Sequence, residues 1–188
     1  MNHPTAFRNG YVIRDQNEIH FLTFTICGWI DLFTRKIYKD ILLESFTYCR
    51  ANKGLILYAY VIMSNHVHLI ARAKEGMKLS DIIRDFKAHT HRQMIKVIES
   101  EVESRRHWML HQFKYYASRH KRNENYQIWI QDSHPEQLLN SEMAIMKINY
   151  IHYNPVLAGY VSEPHHYLYS SASNYKLEKG IIEIDFLL

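Results

Sequence analysis

The chain has 188 residues, 47% hydrophobic and 22% charged, which supports one well-buried domain and excludes wholesale disorder. Its net charge of +4, with 13 histidines, favours a polyanionic partner. Two cysteines, Cys27 and Cys49, cannot build a disulfide framework or a four-ligand zinc site, and no apolar run approaches a signal core or a membrane span, so a cytoplasmic protein with reduced thiols is expected.

Residues 1–17 read as an N-terminal arm. Glu18 to Cys27 (E-I-H-F-L-T-F-T-I-C) is β-branched and aromatic, and apolar or small on both faces, which predicts a central strand. Thr34 is an N-cap candidate for a helix over Lys36 to Asn52, where Ile37, Ile41, Leu42, Phe46 and Cys49 recur at helical spacing. Lys53-Gly54 closes that helix. Leu55 to Met63 and Val67 to Ala73 form an antiparallel hairpin across the polar pair Ser64-Asn65.

A long helix follows from Asp81 to Glu99, with Ile82, Ile83, Phe86, Met94 and Ile98 inward and Arg84, Lys87, Arg92 and Lys96 outward. Residues 100–125 give no clean period. Tyr126 to Gln131 predicts a fourth strand, and Pro135 opens a short helix after the turn from Asp132. Ser141 to Tyr153 predicts a further helix, packed through Met143, Met146, Ile148 and Ile151 and stopped by Asn154-Pro155. The tail from Tyr160 is mostly loop, with Ile181 to Leu187 as an edge strand. This order is the split βαβ, ferredoxin-like α+β plan: a core over 18–131, then C-terminal helices and tail over 132–188, in one domain. Helices on one face of the antiparallel sheet leave the other face as the floor of a site.

That floor carries a candidate metal site. His66 and His68 alternate with Val67 on a strand and so project from one face, where two imidazoles can ligate one cation. A second feature lies between Arg84 and Arg122, where ten Lys or Arg face four acids and mix with aromatic rings. Single-strand binding grooves use that mixture, cations for phosphates and rings for bases; a solvated helical face shows it too. The phosphate-contact candidates are Lys87, Arg92, Arg105, Arg106, Lys121 and Arg122.

Four segments resemble the small HUH transposases, the single-strand insertion-sequence enzymes and their REP-associated tyrosine transposase relatives. They are H-F-L-T-F-T-I-C from His20, S-N-H-V-H-L-I from Ser64, Q-I-W-I-Q-D-S-H-P-E from Gln127, and Y-I-H-Y-N-P-V-L-A-G-Y-V from Tyr150 with Ser170-Ser171-Ala172 behind it. The resemblance runs from Glu18 to Tyr175. It implies a ferredoxin-like fold, a divalent ion (Mg²⁺ or Mn²⁺) held by His66 and His68, and single-stranded or hairpin DNA as partner. The implied reaction is attack of a tyrosine on a phosphodiester, giving a 5′-phosphotyrosine and a free 3′-hydroxyl. Insertion-sequence relatives work as dimers and REP-associated ones singly, so the resemblance admits a homodimer.

The chain departs from the family at one place. The nucleophilic tyrosine of REP-associated relatives lies four residues after the tryptophan of the I-W-Q element, and here that position is Ser133. Three readings follow: a DNA-binding protein that has lost cleavage, a substitute tyrosine, or Ser133 itself as nucleophile. The tyrosines in question are Tyr115, Tyr116 and Tyr126 before the position, and Tyr150 and Tyr153 after it. A third metal ligand is expected just beyond, from Gln137, one helical turn past Ser133, or from His134. Two readings from other classes are a metal-dependent phosphoesterase and a metal-free nucleic-acid-binding regulator.

Overall fold

β1, His20–Thr25, is central because both its faces are apolar: Leu22 and Phe24 are buried on one side and Phe21 on the other. The computed structural model describes residues 13–100, 103–119, 125–131, 135–176 and 179–187. β1 is flanked by β3, His66–Ala73, and β4, Glu136–Gln137, with β2, Leu55–Ile62, beyond β3. Every pairing is antiparallel and the order is β2-β3-β1-β4. With α1 (Lys36–Asn52) after β1 and α2 (Leu79–Glu99) after β3, the expected ferredoxin-like plan is present.

α1 and α2 cover one face. Leu42, Phe46, Ile82 and Phe86 pack with Leu22, Phe24, Leu57, Val67 and Leu69. Phe46 and Phe86 stack with centroids 4.7 Å apart at 9°, a geometry worth roughly 0.5–1.5 kcal/mol beyond area burial. α3, Arg106–Ser118, occupies the stretch that had no clean period. It buries only Met109, Phe113 and Ala117, a stripe too narrow to stand out among its histidines and arginines. Glu103, its side chain buried beside Arg35, Tyr38 and Arg105, ties the start of α3 to α1.

The opposite face is not the open floor expected. α4, Ser141–Leu157, lays Ala144, Ile148 and Ile151 on Phe21, Tyr58, Val61 and Ile70. Met146, expected to pack, is exposed. Asn140 caps α4 by accepting from the Met143 N–H at 2.8 Å. Pro155 does not stop the helix. It sits inside the last turn, and the chain leaves through Gly159 at φ +73°.

Three other expectations change. Arg35, not Thr34, is the N-cap of α1, and the Thr34 hydroxyl donates to the Asp31 carbonyl instead. Ile181 to Leu187 is no strand: Asp185 makes a single backbone link to β2, its N–H donating to the Leu57 carbonyl at 2.8 Å. Tyr169 and Ser171 cover that outer edge, accepting from the Ile62 N–H and donating to the Tyr60 carbonyl, each at 2.9 Å.

The third concerns the fourth strand. Around Trp129, Ile130 donates to the Thr25 carbonyl and Cys27 to the Ile128 carbonyl, at 2.9 and 2.7 Å. Further along, Phe21 pairs with Glu136 and His20 with Gln137, two residues out of that register. Pairing with β1 is therefore split into one bridge and the two-residue β4, and Pro135 precedes a strand rather than opening a helix. The unpaired outer edge of β1 supplies the reason: Ile19 accepts from the Leu138 N–H at 2.8 Å, a bond a helix there would forfeit.

Candidate metal centre

β3 places both histidines on one face. His66 lies opposite Thr25 and His68 opposite Thr23, and the imidazole centroids are 4.8 Å apart at 70°. The ring orientations are set by neighbours. Asn65 Nδ2 donates to Asp31 Oδ1 at 3.0 Å and to the Trp29 carbonyl at 3.3 Å, which turns Asn65 Oδ1 towards His66 Nδ1 at 2.8 Å. An amide oxygen only accepts, so His66 carries its proton on Nδ1 and presents a lone pair at Nε2. His68 Nδ1 lies 2.8 Å from Thr23 Oγ1, which orients the ring; that hydroxyl accepts from Nδ1 when His68 carries its proton there and leaves Nε2 as a lone pair. No residue among those described hydrogen-bonds to either Nε2.

Burial pushes both rings towards the neutral form that a ligand needs. The His68 pKa falls to about 3, first through desolvation and then through His66 and Lys147, and that of His66 falls through desolvation. The donor set fits one cation: two oriented imidazoles, which suit Mn²⁺ better than Mg²⁺. Among the described residues no third His, Cys, Asp or Glu completes it. His134 and Ser133 lie outside the described residues. Gln137 lies on β4 opposite His20, and cross-strand partners share a face. Since His20 alternates with Phe21 and Thr23, Gln137 belongs to the face opposite the histidine pair.

Its neighbour Glu136, paired with Phe21, is on the histidine face and forms a 2.6 Å ion pair with Lys147 of α4. Lys147 Nζ stands 4.6 Å over the Phe21 ring, which stacks on His68 at 5.2 Å. One helical turn on, Tyr150 meets His68 edge-on at 5.3 Å and Phe21 at 5.9 Å, while remaining 46% exposed. On the far side, Trp29 lies edge-on to His66 at 6.2 Å and is 63% exposed. Trp29 has φ +54°, directly after Gly28 at φ +67°. A non-glycine residue there stores roughly 1–3 kcal/mol of backbone strain.

Tyr150 is therefore the one tyrosine of the five whose ring contacts the pair among the described residues. Tyr116 packs against Gly28, Tyr115 packs on Tyr116 and accepts from Arg119, and Tyr126 lines a shallow cavity with Lys87, His91 and Arg92. The exposed Tyr153 has no ring contact with the pair. Of the basic candidates, Lys87 donates to the Ile130 carbonyl, Arg105 to Glu103 and the Asp31 carbonyl, and Arg106 to the Glu99 carbonyl. Arg92 borders the Tyr126 cavity, and Lys121 and Arg122 lie outside the described residues. Sequence reasoning missed Lys147 and Trp29. Only Lys147 left a trace, as the residue one turn before Tyr150 on a helix.

The four-stranded antiparallel sheet in the order β2-β3-β1-β4, with α1 and α2 on one face and α4 on the other, defines the class: a mixed α+β protein of ferredoxin-like plan. The family model described as "Transposase IS200 like" matches residues 16–131, and the chain belongs to that family. Its fold is similar to that of a REP-associated tyrosine transposase solved bound to a REP hairpin, with TM-score 0.62, 18% identity, and 98% of this chain and 92% of that one covered. A candidate transposase from Deinococcus radiodurans R1 aligns with TM-score 0.42 and 16% identity over 71% of this chain and 87% of that one. Among curated protein sequences none matches. No helix of the described residues is long and apolar enough to cross a membrane.

Proposed function

We propose that this transposase-family chain binds hairpin or single-stranded DNA and performs metal-dependent strand cleavage and rejoining, with Tyr150 as nucleophile. The observation that carries it is the convergence of His66, His68 and Tyr150 on one patch, with the Nε2 lone pair of His66 presented by its Asn65 contact. The hairpin carried by the structurally similar REP-associated enzyme supports the choice of partner.

A divalent ion on the two imidazoles would polarise a phosphate and stabilise its developing charge. The Tyr150 oxygen forms a bond to phosphorus as the bond to the 3′-oxygen breaks, and the phenolic proton passes through solvent to that leaving oxygen. The products are a 5′-phosphotyrosine and a 3′-hydroxyl, and rejoining is the same step reversed. Lys147, steadied by Glu136, adds positive charge beside the phosphate. Since pair and tyrosine belong to one chain, a single copy suffices. Arg92, Lys121 and Arg122 remain the proposed contacts to more distant phosphates, in a cytoplasmic protein whose buried Cys27 and Cys49 stay reduced.

A second reading, binding without cleavage, is favoured by Ser133 at the family's tyrosine position. Incubation of labelled hairpins carrying single-stranded tails with Mn²⁺, followed by a denaturing gel, separates the two. A covalent adduct mapped to Tyr150 by mass spectrometry supports cleavage. Salt-sensitive binding without any adduct supports the second reading, and absence of binding removes both.

A further inference from the structure

We infer that the Trp29 indole is a stacking platform for one unpaired DNA base beside the phosphate held at His66 and His68, an inference that rests on the DNA-handling function proposed above. Three observations carry it. First, the ring borders the metal pair, edge-on to His66 at 6.2 Å, yet is 63% exposed. It is the most exposed of the three tryptophans: Trp129 is buried in the core and Trp108, on α3, is 50% exposed.

Second, its backbone is held in the left-handed region, φ +54°, where glycine or asparagine would sit without strain. A tryptophan in that conformation is accepted in cores when burial compensates for it. Here most of the ring is in water, so burial does not explain the choice of residue. Strain concentrated beside a site is a signature of function.

Third, the turn that carries the indole rests on the same support as His66. The Asn65 amide holds the Trp29 carbonyl through Nδ2 at 3.3 Å and orients His66 through Oδ1 at 2.8 Å. Tyr116 lies against Gly28 on the other side of the turn, leaving no room there for a side chain. A flat ring fixed beside a phosphate site, with an exposed face and no hydrogen-bonding group of its own to read base edges beyond the indole N–H, selects the flat faces of nucleobases with little regard to sequence. The ligand class is thus an unpaired base in the tail of a hairpin, one or two nucleotides from the cleaved bond.

The test compares affinity for a hairpin with a single-stranded tail against the same hairpin without it, in the parent and in Trp29→Phe, Trp29→Ala and Trp29→Asn. Binding is measured with the metal chelated and again with Mn²⁺. The expected result is about a tenfold or greater loss of tailed-hairpin affinity in Trp29→Ala and Trp29→Asn, little loss in Trp29→Phe, and no change for the tailless hairpin. Replacing one tail nucleotide by an abasic site should weaken the parent and leave Trp29→Ala unaffected, which locates the base. Trp29→Asn should melt no lower than the parent, because it relieves strain. A parent that binds tailed hairpins while Trp29→Ala binds them equally well overturns the platform and leaves the DNA-binding function standing. A parent that binds no DNA overturns both. A large drop in the melting temperature of Trp29→Asn would assign the ring a structural role, and an affinity loss equal for both hairpins would assign it to the duplex.

Discussion

Asn65 Oδ1 lies 2.8 Å from His66 Nδ1, and the same amide is pinned from behind by Asp31 at 3.0 Å. This relay fixes which nitrogen of His66 is free, so under the proposed function it would set metal affinity without touching the metal. Replacing Asn65 by Ala should weaken Mn²⁺ binding about 10–100-fold, and Asp in its place should recover little of it, because a carboxylate cannot donate to Asp31 and is repelled by it. Isothermal titration checks this. Equal affinity in Asn65→Ala and parent would mean that His66 is oriented by something else.

Tyr150→Phe removes one oxygen and keeps the ring that packs on His68 and Phe21. If Tyr150 is the nucleophile, adduct formation should drop by at least about 10³-fold, the scale seen when a covalent catalyst is removed, while hairpin affinity stays within about twofold. An adduct that persists in this variant points to another residue, and Ser133→Ala would then be the next variant to examine. Loss of binding together with adduct would make the hydroxyl a DNA contact instead.

How much of this was legible beforehand depends on how local the cause was. The His66/His68 geometry follows from strand alternation, and β2, β3, α1 and α2 follow from hydrophobic period. The motif pair Y-I-H-Y-N-P and Ser170-Ser171-Ala172 was recognisable as a pattern, but its physical sense lies in a tertiary contact: His152 Nε2 meets Ser171 Oγ at 2.9 Å, joining α4 to the segment along β2. The failures have a common source in tertiary pairing. Pro135 reads as a helix start until the free edge of β1 claims Glu136 and Gln137, which also puts Gln137 on the face opposite His66 and His68. Trp29 left no trace because a left-handed backbone at a tryptophan is dictated by its surroundings and not by its own preference.

Gly28 is irreplaceable for two separate reasons. Its φ is +67°, and a Cβ there would come within 2.9 Å of the Tyr116 ring and hydroxyl. Gly28→Ala should therefore destabilise the protein by about 2 kcal/mol, strain and crowding together. Adding Tyr116→Ala should recover the crowding part only, in a double-mutant cycle read by urea denaturation. Strict additivity of the two changes would show that the ring yields without cost.

The Tyr60 hydroxyl is fully buried with no hydrogen-bond partner among the described residues. A buried, unpaired hydroxyl is a liability, and deleting it together with its desolvation cost leaves the packing with Phe46 in place. Tyr60→Phe should stabilise the fold by about 1 kcal/mol, a rise of roughly 2–4 °C in melting temperature for a chain of this size. A fall of similar size would reveal a partner for that oxygen.

Stability should also depend on pH through His152. Burial pushes its pKa down from 6.5 to about 4, so in the fold the ring is neutral, with its Nε2 in a 2.9 Å hydrogen bond with the Ser171 hydroxyl. The unfolded chain takes up this proton first as pH falls, so the stabilisation is complete above about 6.5 and drains away towards 4. The amount at stake is about 3 kcal/mol. His68, its pKa also lowered, acts in the same direction when metal is absent, so the comparison must isolate one ring. His152→Gln keeps a polar group for Ser171 and cannot titrate. The metal-free parent should lose stability more steeply than this variant between pH 6.5 and 4, with up to one extra proton taken up on unfolding. Parallel curves for the two proteins would mean that His152 is already charged in the native state, and that the contact with Ser171 runs from imidazolium to hydroxyl.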